Sequence, residues 1–550
     1  MEKYEWIVTL YSRDDLDGFY DDMETPGGSI TIPDREVELT NRRTISRNTH
    51  YMLTHDEAAE VLADPRVWGV DLADEVIDAI KPSGYTVNEK FSKDWNSDAS
   101  DVNWGLLRHS EATNRNNWGS NALTNITSDL TVTASGKNVD VLIVDGHIDP
   151  AHPEFAVNSD GTGGSRINQF NWFSLKSDIG LGSNGTYNYG TYVVAGDADE
   201  TDDNDHGCHV GGTVAGNKQG WARDANIYNI SPYGSNNNSG ASTYLWDYIR
   251  QWHNTKPINS ETGRRNPTIS NHSYGSGYRI NYGSWGPIIS ANYRGVNFNP
   301  GRDLTAAELR ARGFYAPSNV DVGIPAYFTS RQADMEDAAD DGVIIVVAAG
   351  NDYWKIVNAA DQDYNNTYQS VNGGITRTLY TNRGTGSGAG YAPNIVVGAV
   401  SNDLNEDKAG FSNVGSQVDV FAAGEGIQSS LHTGSTNDPR NSSYKIGKYQ
   451  GTSMASPQVC GVLALLAESW PGMDQAQAQQ WISDNAGTDV MADTGADDAM
   501  DTNSLQGAPN KYLRWINQRP TDGFAFPKRT FSNRPTTGNT YPRSRVRRKG

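Results

Sequence analysis

Short apolar runs follow one another through the middle of the chain, and most lack the apolar-polar alternation of half-exposed strands. They lie between about residues 104 and 515 and are separated by segments with helical patterns, such as CHVGGTVAG at 208–216. Continuous apolar runs are typical of strands that are buried on both faces of a parallel sheet. The pattern therefore predicts a layered α/β domain at 104–515. The clearest strand candidates are VDVLIVDG at 139–146, GVIIVVAAGN at 342–351 and NIVVGAVS at 394–401.

The N-terminal part of the chain, 1–85, has a different pattern, which predicts a small α+β unit. EWIVTLYS reads as a strand, and RVWGVDLADEVI alternates like a second strand. Between them, THDEAAEVLADP predicts a helix that Thr54 opens with Glu57 at capping-box spacing, and that ends before Pro65. The polar stretch at 86–103 predicts a linker between this unit and the α/β domain.

The C-terminal segment 516–550 is rich in Pro, Gly, Arg and Thr, which predicts an extended tail. The whole chain has a net charge of −21, yet residues 511–550 carry eleven Lys and Arg against the single acid Asp522. An acidic body argues against general nucleic-acid binding by that body. The basic tail is compatible with a solvated end or with docking onto an acidic partner, either protein or nucleic acid.

Composition places the chain among folded globular proteins, with 36% apolar and 20% charged residues. Two cysteines, Cys208 and Cys460, are too few for a disulfide scaffold. No apolar run approaches the roughly 18 residues of a membrane-spanning helix, and the start shows no Sec signal peptide. We therefore expect no membrane association and an intracellular or virion-associated protein.

Four residues at predicted strand and helix ends carry the candidate chemistry. Active sites of open parallel sheets lie at the carboxyl ends of the strands. A serine hydroxyl becomes nucleophilic when a histidine removes its proton, and an acid behind the histidine fixes the tautomer. Taken alone, each residue has a structural explanation: helix N-cap, core histidine or turn residue. The four candidates, in chain order, are Asp145, His206, Asn351 and Ser453.

The order and local sequences of these residues resemble the subtilisin-like serine peptidases. The resemblance extends over most of the range 104–515, and its motifs arrive in the order found in that family. Jointly the motifs are specific, although any one of them alone would carry little weight. The primary matches are VLIVDGHIDPAHPEF at 141–155, HGCHVGGTVAG at 206–216, AAGN ending at 351 and GTSMASP at 451–457; secondary matches are NHSYGSG at 271–277, APNIVVGAVS at 392–401, FSNVG at 411–415 and DVFAAGEGI at 419–427.

The resemblance implies a three-layer α/β/α fold with a mostly parallel sheet. It also implies that Asp145 orients His206, that His206 is the general base and acid, and that Ser453 forms the acyl-enzyme. Asn351 would donate its amide to the oxyanion. The segment Ser273, Tyr274 and Gly275 matches the family's substrate-binding strand, which pairs with an extended peptide. No cofactor is required by this chemistry, and structural Ca²⁺ is compatible with the family.

The same resemblance gives the 1–85 unit the role of an inhibitory pro-region. Such a unit would cover the substrate groove until autocleavage in the stretch 82–103. An alternative is that no cleavage occurs. The chain is thus expected to be a self-processing serine endopeptidase acting on proteins or peptides. The competing interpretation is a structural or virion-associated protein that uses the peptidase fold mainly as a scaffold.

Several positions depart from the family pattern. His147 stands where Gly is usual after the catalytic Asp, so the local turn is expected to differ. Cys208 replaces a Thr, Cys460 an Ala and Ala423 a Pro, and none of these is a proton-transfer atom. We expect both cysteines to be buried small apolar residues, with a functional thiol at Cys208 or a mutual disulfide as the alternatives.

Two acidic stretches and one long insertion leave alternatives open. The stretch GDADETDDNDHG at 196–207 is either a solvated loop or a calcium site, and it would favour basic substrates. The stretch DVMADTGADDAMD at 489–501 is a second calcium candidate. The insertion at 278–330 lengthens the spacing between Ser273 and Asn351 and predicts either a wall beside the substrate groove or surface elaboration.

Overall fold

The computed structural model describes most of the chain up to residue 516. The described ranges are 3–25, 37–42, 46–73, 83–93, 95, 98–112, 126–168, 172–180, 204–231, 244–275, 277–280, 288–313, 322–372, 374–385, 387, 393–403, 406–493 and 504–516. The predicted tail therefore lies outside the described residues, except for Ile516. Among the described helices, none combines the length and apolar character that a bilayer span requires.

A nine-stranded sheet forms the centre of the α/β domain, and its strands are parallel except for one edge pair. The strands are β8 (Asp140–Val144), β9 (Ile167–Asn168), β10 (Asn226–Ile230), β11 (Thr268–His272), β16 (Val343–Ala348), β19 (Ile395–Val400), β20 (Val420–Ala423), β24 (Gly487–Thr488) and β25 (Lys511–Tyr512). Their order across the sheet is β24-β25-β20-β19-β16-β11-β8-β10-β9. The central strands consist almost wholly of buried residues, as the continuous apolar runs predict.

Helices cover both faces of this sheet and create two cores. Along β8, Val141 and Ile143 belong to one core, whereas Leu142 and Val144 belong to the other. The first core contains α4 (Asn204–Ala215), α8 (Thr452–Ser469) and α9 (Gln475–Asn485); the second contains α5 (Leu245–Thr255) and α7 (Thr329–Asp340). The predicted three-layer α/β/α architecture is confirmed.

The N-terminal segment folds into its own antiparallel unit. Its elements are β1 (Tyr4–Leu10), α1 (Leu16–Glu24), β2 (Glu38–Arg42), β3 (Asn48–Leu53), α2 (His55–Leu62) and β4 (Val67–Leu72). The four strands form a sheet in the order β2-β3-β1-β4, and both helices share one apolar core with it. Thr54 and Glu57 form the predicted capping box at the start of α2. The inhibitory role of this unit stays a prediction.

The prediction of a linker at 86–103 is wrong. This stretch contains most of β5 (Tyr85–Ser92) and all of β6 (Asp101–Asn103), which form a sheet with β7 (Ile126–Val132). Phe91 and Val102 are fully or almost fully buried in a core of the α/β domain. Polar residues dominate the stretch because alternate positions of β5 face solvent and because hydrogen bonds satisfy buried Asn103. The α/β body therefore begins by residue 85, ahead of α3 (Trp104–His109).

A separate antiparallel sheet combines two segments of the chain. Strands β13 (Ile288–Tyr293) and β14 (Val296–Phe298) come from the predicted insertion at 278–330, and β17 (Thr367–Asn372) and β18 (Ile375–Tyr380) come from the segment after Asn351. The sheet order is β14-β13-β17-β18, and α6 (Ala306–Arg310) contributes to the small apolar core of this sheet. The insertion also forms most of the pair β12 (Gly277–Ile280) and β15 (Val322–Pro325).

A last antiparallel sheet precedes helix α8. It consists of β21 (Ile427–Leu431), β22 (Thr436–Asp438) and β23 (Asn441–Tyr449). Strand β23 ends two residues before Gly451, and so it delivers the chain directly to the start of the helix that carries Ser453.

Candidate active site

The candidate residues lie at the carboxyl edge of the central sheet. In the strand register, Val144 of β8 lies beside His272 of β11, and His272 lies beside Val347 of β16. Asp145 and Ser273 follow directly on β8 and β11, two neighbouring strands that run about 5 Å apart. Asn351 follows the next strand, β16, by three residues.

Asp145 and His206 are in direct contact. The Nδ1 atom of His206 lies 2.7 Å from Oδ1 of Asp145, which also accepts a hydrogen bond from the amide of Gly146 at 2.8 Å. Asp145 is 4% exposed, whereas the His206 side chain keeps 27% of its surface accessible. An anionic carboxylate at Nδ1 holds the proton on that nitrogen and leaves Nε2 as the acceptor.

Gly207 explains how helix α4 comes so close to Asp145. A Cβ atom at this position would lie 2.3 Å from the carbonyl oxygen of Gly146, a distance that atoms do not tolerate. The helix therefore rests on the turn after β8 only because residue 207 has no side chain. This packing brings the first turn of α4, and His206 with it, to the carboxylate.

Ser453 is the second residue of α8, a helix buried along almost its whole length. Its hydroxyl donates a hydrogen bond to the carbonyl of Ser273 at 2.9 Å, so the nucleophile candidate lies beside the end of β11. Gly451 precedes the helix with φ +148° and ψ 162°, a backbone conformation available essentially to glycine alone. The sharp entry places the Ser453 side chain and the helix N-terminus at the sheet edge.

The side chain of Asn351 is held in one orientation by Thr452. Its Oδ1 accepts hydrogen bonds from the backbone amide and from the hydroxyl of Thr452, both at 2.8 Å. Its Nδ2 therefore points away from Thr452, and lies 3.4 Å from where a Cβ on Gly451 would be. An amide donor is thus presented next to the start of α8, where an oxyanion on a Ser453 adduct would form.

Asn413 is a functional candidate that the sequence reasoning missed. Its Oδ1 accepts from the amides of Asp352 and Trp354, and its Nδ2 donates to the carbonyl of Ala349. It thereby clamps the turn that carries Asn351. The family match FSNVG at 411–415 contains Asn413, but the match alone assigned this residue no role.

Residues 273–275 follow β11 directly and lie outside any assigned strand. Ser273 is buried, Tyr274 is partly buried with its hydroxyl 3.0 Å from Nδ1 of His272, and Gly275 is exposed. The chain then enters β12, which pairs with β15. Whether this segment binds substrate stays a prediction.

Comparison with known proteins decides the family. The profile of the subtilase family, peptidase S8, matches residues 136–512, more than half of the chain. The chain belongs to the subtilase family. The resemblance inferred from the motifs is confirmed, and the fold class with it.

Curated relatives of this subtilase include a subtilisin-like protease of Coccidioides posadasii, 29% identical over 56% of this chain and 48% of its own length. Subtilisin NAT of Bacillus subtilis subsp. natto is 31% identical over 30% of this chain and 35% of its own length. Matches to these relatives thus span about half of their length or less. A solved structure, described as a cold adapted subtilisin-like serine proteinase, is 18% identical with a TM-score of 0.43, covering 76% of this chain and 99% of its own.

The departures from the family pattern lie beside the candidate residues and leave the contacts described above in place. Cys208 is fully buried, and its sulfur accepts a hydrogen bond from the amide of Asp149, so it supports the turn that contains His147. Cys460 is buried in α8, and burial raises the pKa of its thiol. Neither cysteine forms a disulfide, so both are small buried residues as expected, and the mutual disulfide is excluded. Ala423 is buried at the end of β20.

The acidic stretches provide no metal site among the residues that the structure describes. Most of 196–207 and of 489–501 lies outside the described ranges, so the calcium hypothesis stays a prediction there. Asp205 is described, and its carboxylate accepts hydrogen bonds from the amides of His432 and Thr433 at 2.7 Å. This residue thus ties α4 to the end of β21.

Proposed function

We propose that this subtilase is a serine endopeptidase that hydrolyses peptide bonds through Asp145, His206 and Ser453. The observation that carries the proposal is the 2.7 Å contact between His206 Nδ1 and Asp145 Oδ1 at the sheet edge where Ser453 lies in the first turn of α8. Family membership supports the same chemistry. The substrate would be an extended segment of protein or peptide lying along Ser273, Tyr274 and Gly275.

The reaction follows from the roles of these groups. The Ser453 hydroxyl, which donates to the Ser273 carbonyl in this structure, would turn toward His206, whose Nε2 takes the proton as Oγ adds to the scissile carbonyl carbon. Negative charge then develops on the carbonyl oxygen, where the amide of Ser453 and Nδ2 of Asn351 donate hydrogen bonds. Protonated His206 gives its proton to the leaving amine as the C–N bond breaks. His206 then takes a proton from water as its oxygen adds to the acyl carbon, and returns that proton to Ser453 Oγ as the C–Oγ bond breaks and the acid leaves.

We further propose that the chain processes itself between the N-terminal unit and the α/β body. Residues from 83 onward are tied into the body: the Ser83 hydroxyl contacts Glu468 and Ser135, and β5 pairs with β7 over seven positions. The cut bond is therefore expected at or before residue 83, earlier than most of the stretch 82–103. Mass spectrometry of the parent and of Ser453→Ala tests this, because the parent alone should lose a fragment ending there. A fragment boundary within β5, or equal processing of Ser453→Ala, contradicts it.

Peptide hydrolysis by matched variants tests the catalytic proposal. The parent should cleave a quenched fluorescent peptide mixture, whereas Ser453→Ala and His206→Ala should lose at least about 10⁴-fold in turnover and Asp145→Asn about as much. Ser429→Ala is a suitable control, since its buried hydroxyl donates to the carbonyl of His209 away from the reacting atoms. A parent that binds but never cleaves would favour the scaffold interpretation.

A further inference from the structure

The helix that carries Ser453 lacks one of its own backbone hydrogen bonds. In an α-helix each carbonyl accepts from the amide four residues later, and the residue four positions after Ser453 is Pro457. Proline has no amide hydrogen, and its ring crowds the carbonyl that the missing bond would have reached. The carbonyl of Ser453 consequently needs another donor, because an unpaired buried carbonyl is costly.

Ser273 supplies that donor. Its hydroxyl donates to the Ser453 carbonyl at 3.0 Å, and its own carbonyl accepts from the Ser453 hydroxyl at 2.9 Å. Ser273 is only 3% exposed and Ser453 only 8%. Ser273 therefore forms two hydrogen bonds with Ser453, one to its main chain and one to its side chain, although the two residues are 180 positions apart in the sequence.

A buried relay stands behind the Ser273 hydroxyl. The side-chain Nδ2 of Asn271 donates a hydrogen bond to Ser273 Oγ at 2.9 Å, and the hydroxyl of Ser456 donates to Oδ1 of Asn271 at 2.6 Å. Asn271 and Ser456 are fully buried. Because Asn271 occupies the Ser273 oxygen as a donor, the Ser273 proton is directed toward the Ser453 carbonyl. Aligned hydrogen bonds of this kind strengthen one another.

We propose that Ser273 is a positioning residue for the nucleophile, and that its hydroxyl replaces the helix bond that Pro457 removes. The inference rests on the proposed function of Ser453. The role of the Ser273 hydroxyl is distinct from the expected pairing of residues 273–275 with substrate, because that pairing uses only their backbone. Productive attack requires the nucleophile to be held within about 0.5 Å of its place, so loosening Ser453 lowers the rate without abolishing the chemistry.

A double-mutant cycle with Pro457 separates this role from general structural support. Ser273→Ala should lower the second-order rate constant for labelling by a fluorophosphonate about tenfold, the worth of one buried hydrogen bond at the reacting residue. In Pro457→Ala, the new amide at 457 can donate to the Ser453 carbonyl. Ser273→Ala made in that background should therefore change the labelling rate less than about twofold.

If Ser273→Ala lowers the labelling rate equally with Pro457 and with Pro457→Ala, or lowers it in neither background, the inference is overturned. If Ser273→Ala does not fold, as circular dichroism would show, Ser456→Ala decides instead: a loss of about threefold supports the relay, and an unchanged rate overturns it. Ser429→Ala should leave the labelling rate unchanged. A parent that never reacts overturns the proposed function as well, whereas a reactive parent with unaffected variants overturns this inference alone.

Discussion

At the scale of single residues, the catalytic proposal depends on side chains held in one orientation by partners far away in sequence. Thr452 fixes the amide of Asn351, and Asn413 fixes the turn beneath it. The motifs gave the reacting candidates from sequence, because each candidate sits in a local pattern. The motifs could not predict the role of Asn413 or the hydrogen bonds between Ser273 and Ser453. Those contacts join residues that are 64 and 180 positions apart in the sequence.

Asn351 offers the sharpest prediction at this scale. Asn351→Ala removes the Nδ2 donor, and turnover should fall about 10²- to 10³-fold with little change in KM, the range established for such donors in subtilisins. Asn351→Asp should be at least as damaging, because a carboxylate cannot donate and repels the oxyanion. Steady-state kinetics on a chromogenic peptide measures both. A loss confined to KM would contradict an oxyanion role.

At the scale of elements, strand and helix ends place the site, and their packing explains one failed prediction. The buried strands β8, β16 and β19 were predicted from their apolar runs, and the capping box of α2 from its residue spacing, whereas β11, with the sequence TISNH, has no apolar run to reveal it. Strand β5 was not predicted, because its solvent-facing positions are polar and its partner β7 is distant in sequence. The hydrogen-bonded pair Asn88 and Asp129 of these two strands, for example, spans 41 positions. The apolar pattern of a sequence reveals a strand only where its residues are buried. A strand with few buried positions, such as β5, therefore has the same polar pattern as a linker.

Glu468 provides a test of how elements are joined. Its carboxylate, near the end of α8, accepts hydrogen bonds from the amides of Ser135, Gly136 and Lys137, ahead of β8, at 2.8, 2.7 and 3.1 Å. Glu468→Ala should lower the free energy of unfolding by about 2 kcal/mol, and Glu468→Gln by less, because it keeps one acceptor.

Chemical denaturation of the Ser453→Ala protein, which cannot digest itself, measures these effects. Glu261→Ala is the matched control, because its exposed ion pair with Lys137 contacts the same loop and should contribute under about 1 kcal/mol. Equal losses for Glu261→Ala and Glu468→Ala would contradict the account.

At the scale of the whole molecule, the insertion after Ser273 pairs with a distant segment of the chain. Strand β13 from the insertion pairs with β17 from the segment after Asn351, so the four-stranded sheet needs both segments. The sequence revealed the insertion after Ser273 but not this pairing, since antiparallel partners far apart in the chain leave no local signal. Ser290 and Gln369, which join these strands through their side chains, are 79 positions apart. Whether the resulting unit restricts access to the groove stays a prediction.

Buried histidines predict how the stability of the whole molecule changes with pH. Burial lowers the pKa of His109, His209 and His272 to about 3 and that of His253 to about 4. In the unfolded chain these groups bind protons below about pH 6.5, whereas the folded chain keeps them neutral. Each therefore costs the fold a free energy that rises, as the pH falls below 6.5, toward a slope of about 1.4 kcal/mol per pH unit.

Desolvated carboxyls oppose this trend. Burial raises the pKa of Asp419 to about 6, so its contribution to folding improves as the pH falls through that value. The four histidines together outweigh Asp419. The melting temperature of Ser453→Ala should therefore be highest near neutral pH and should fall steadily from pH 6.5 to 5. A melting temperature that is constant or rises over this range would contradict the prediction.

The central claim is that Ser453 is a nucleophile activated by His206 on Asp145. Incubation of the purified protein with a fluorophosphonate, followed by peptide mass spectrometry, tests it most directly. The account predicts one adduct, on the peptide containing Ser453, in the parent, much slower labelling in His206→Ala and none in Ser453→Ala. An adduct on a different residue, or an unmodified parent under conditions where a known subtilisin is fully labelled, would contradict it.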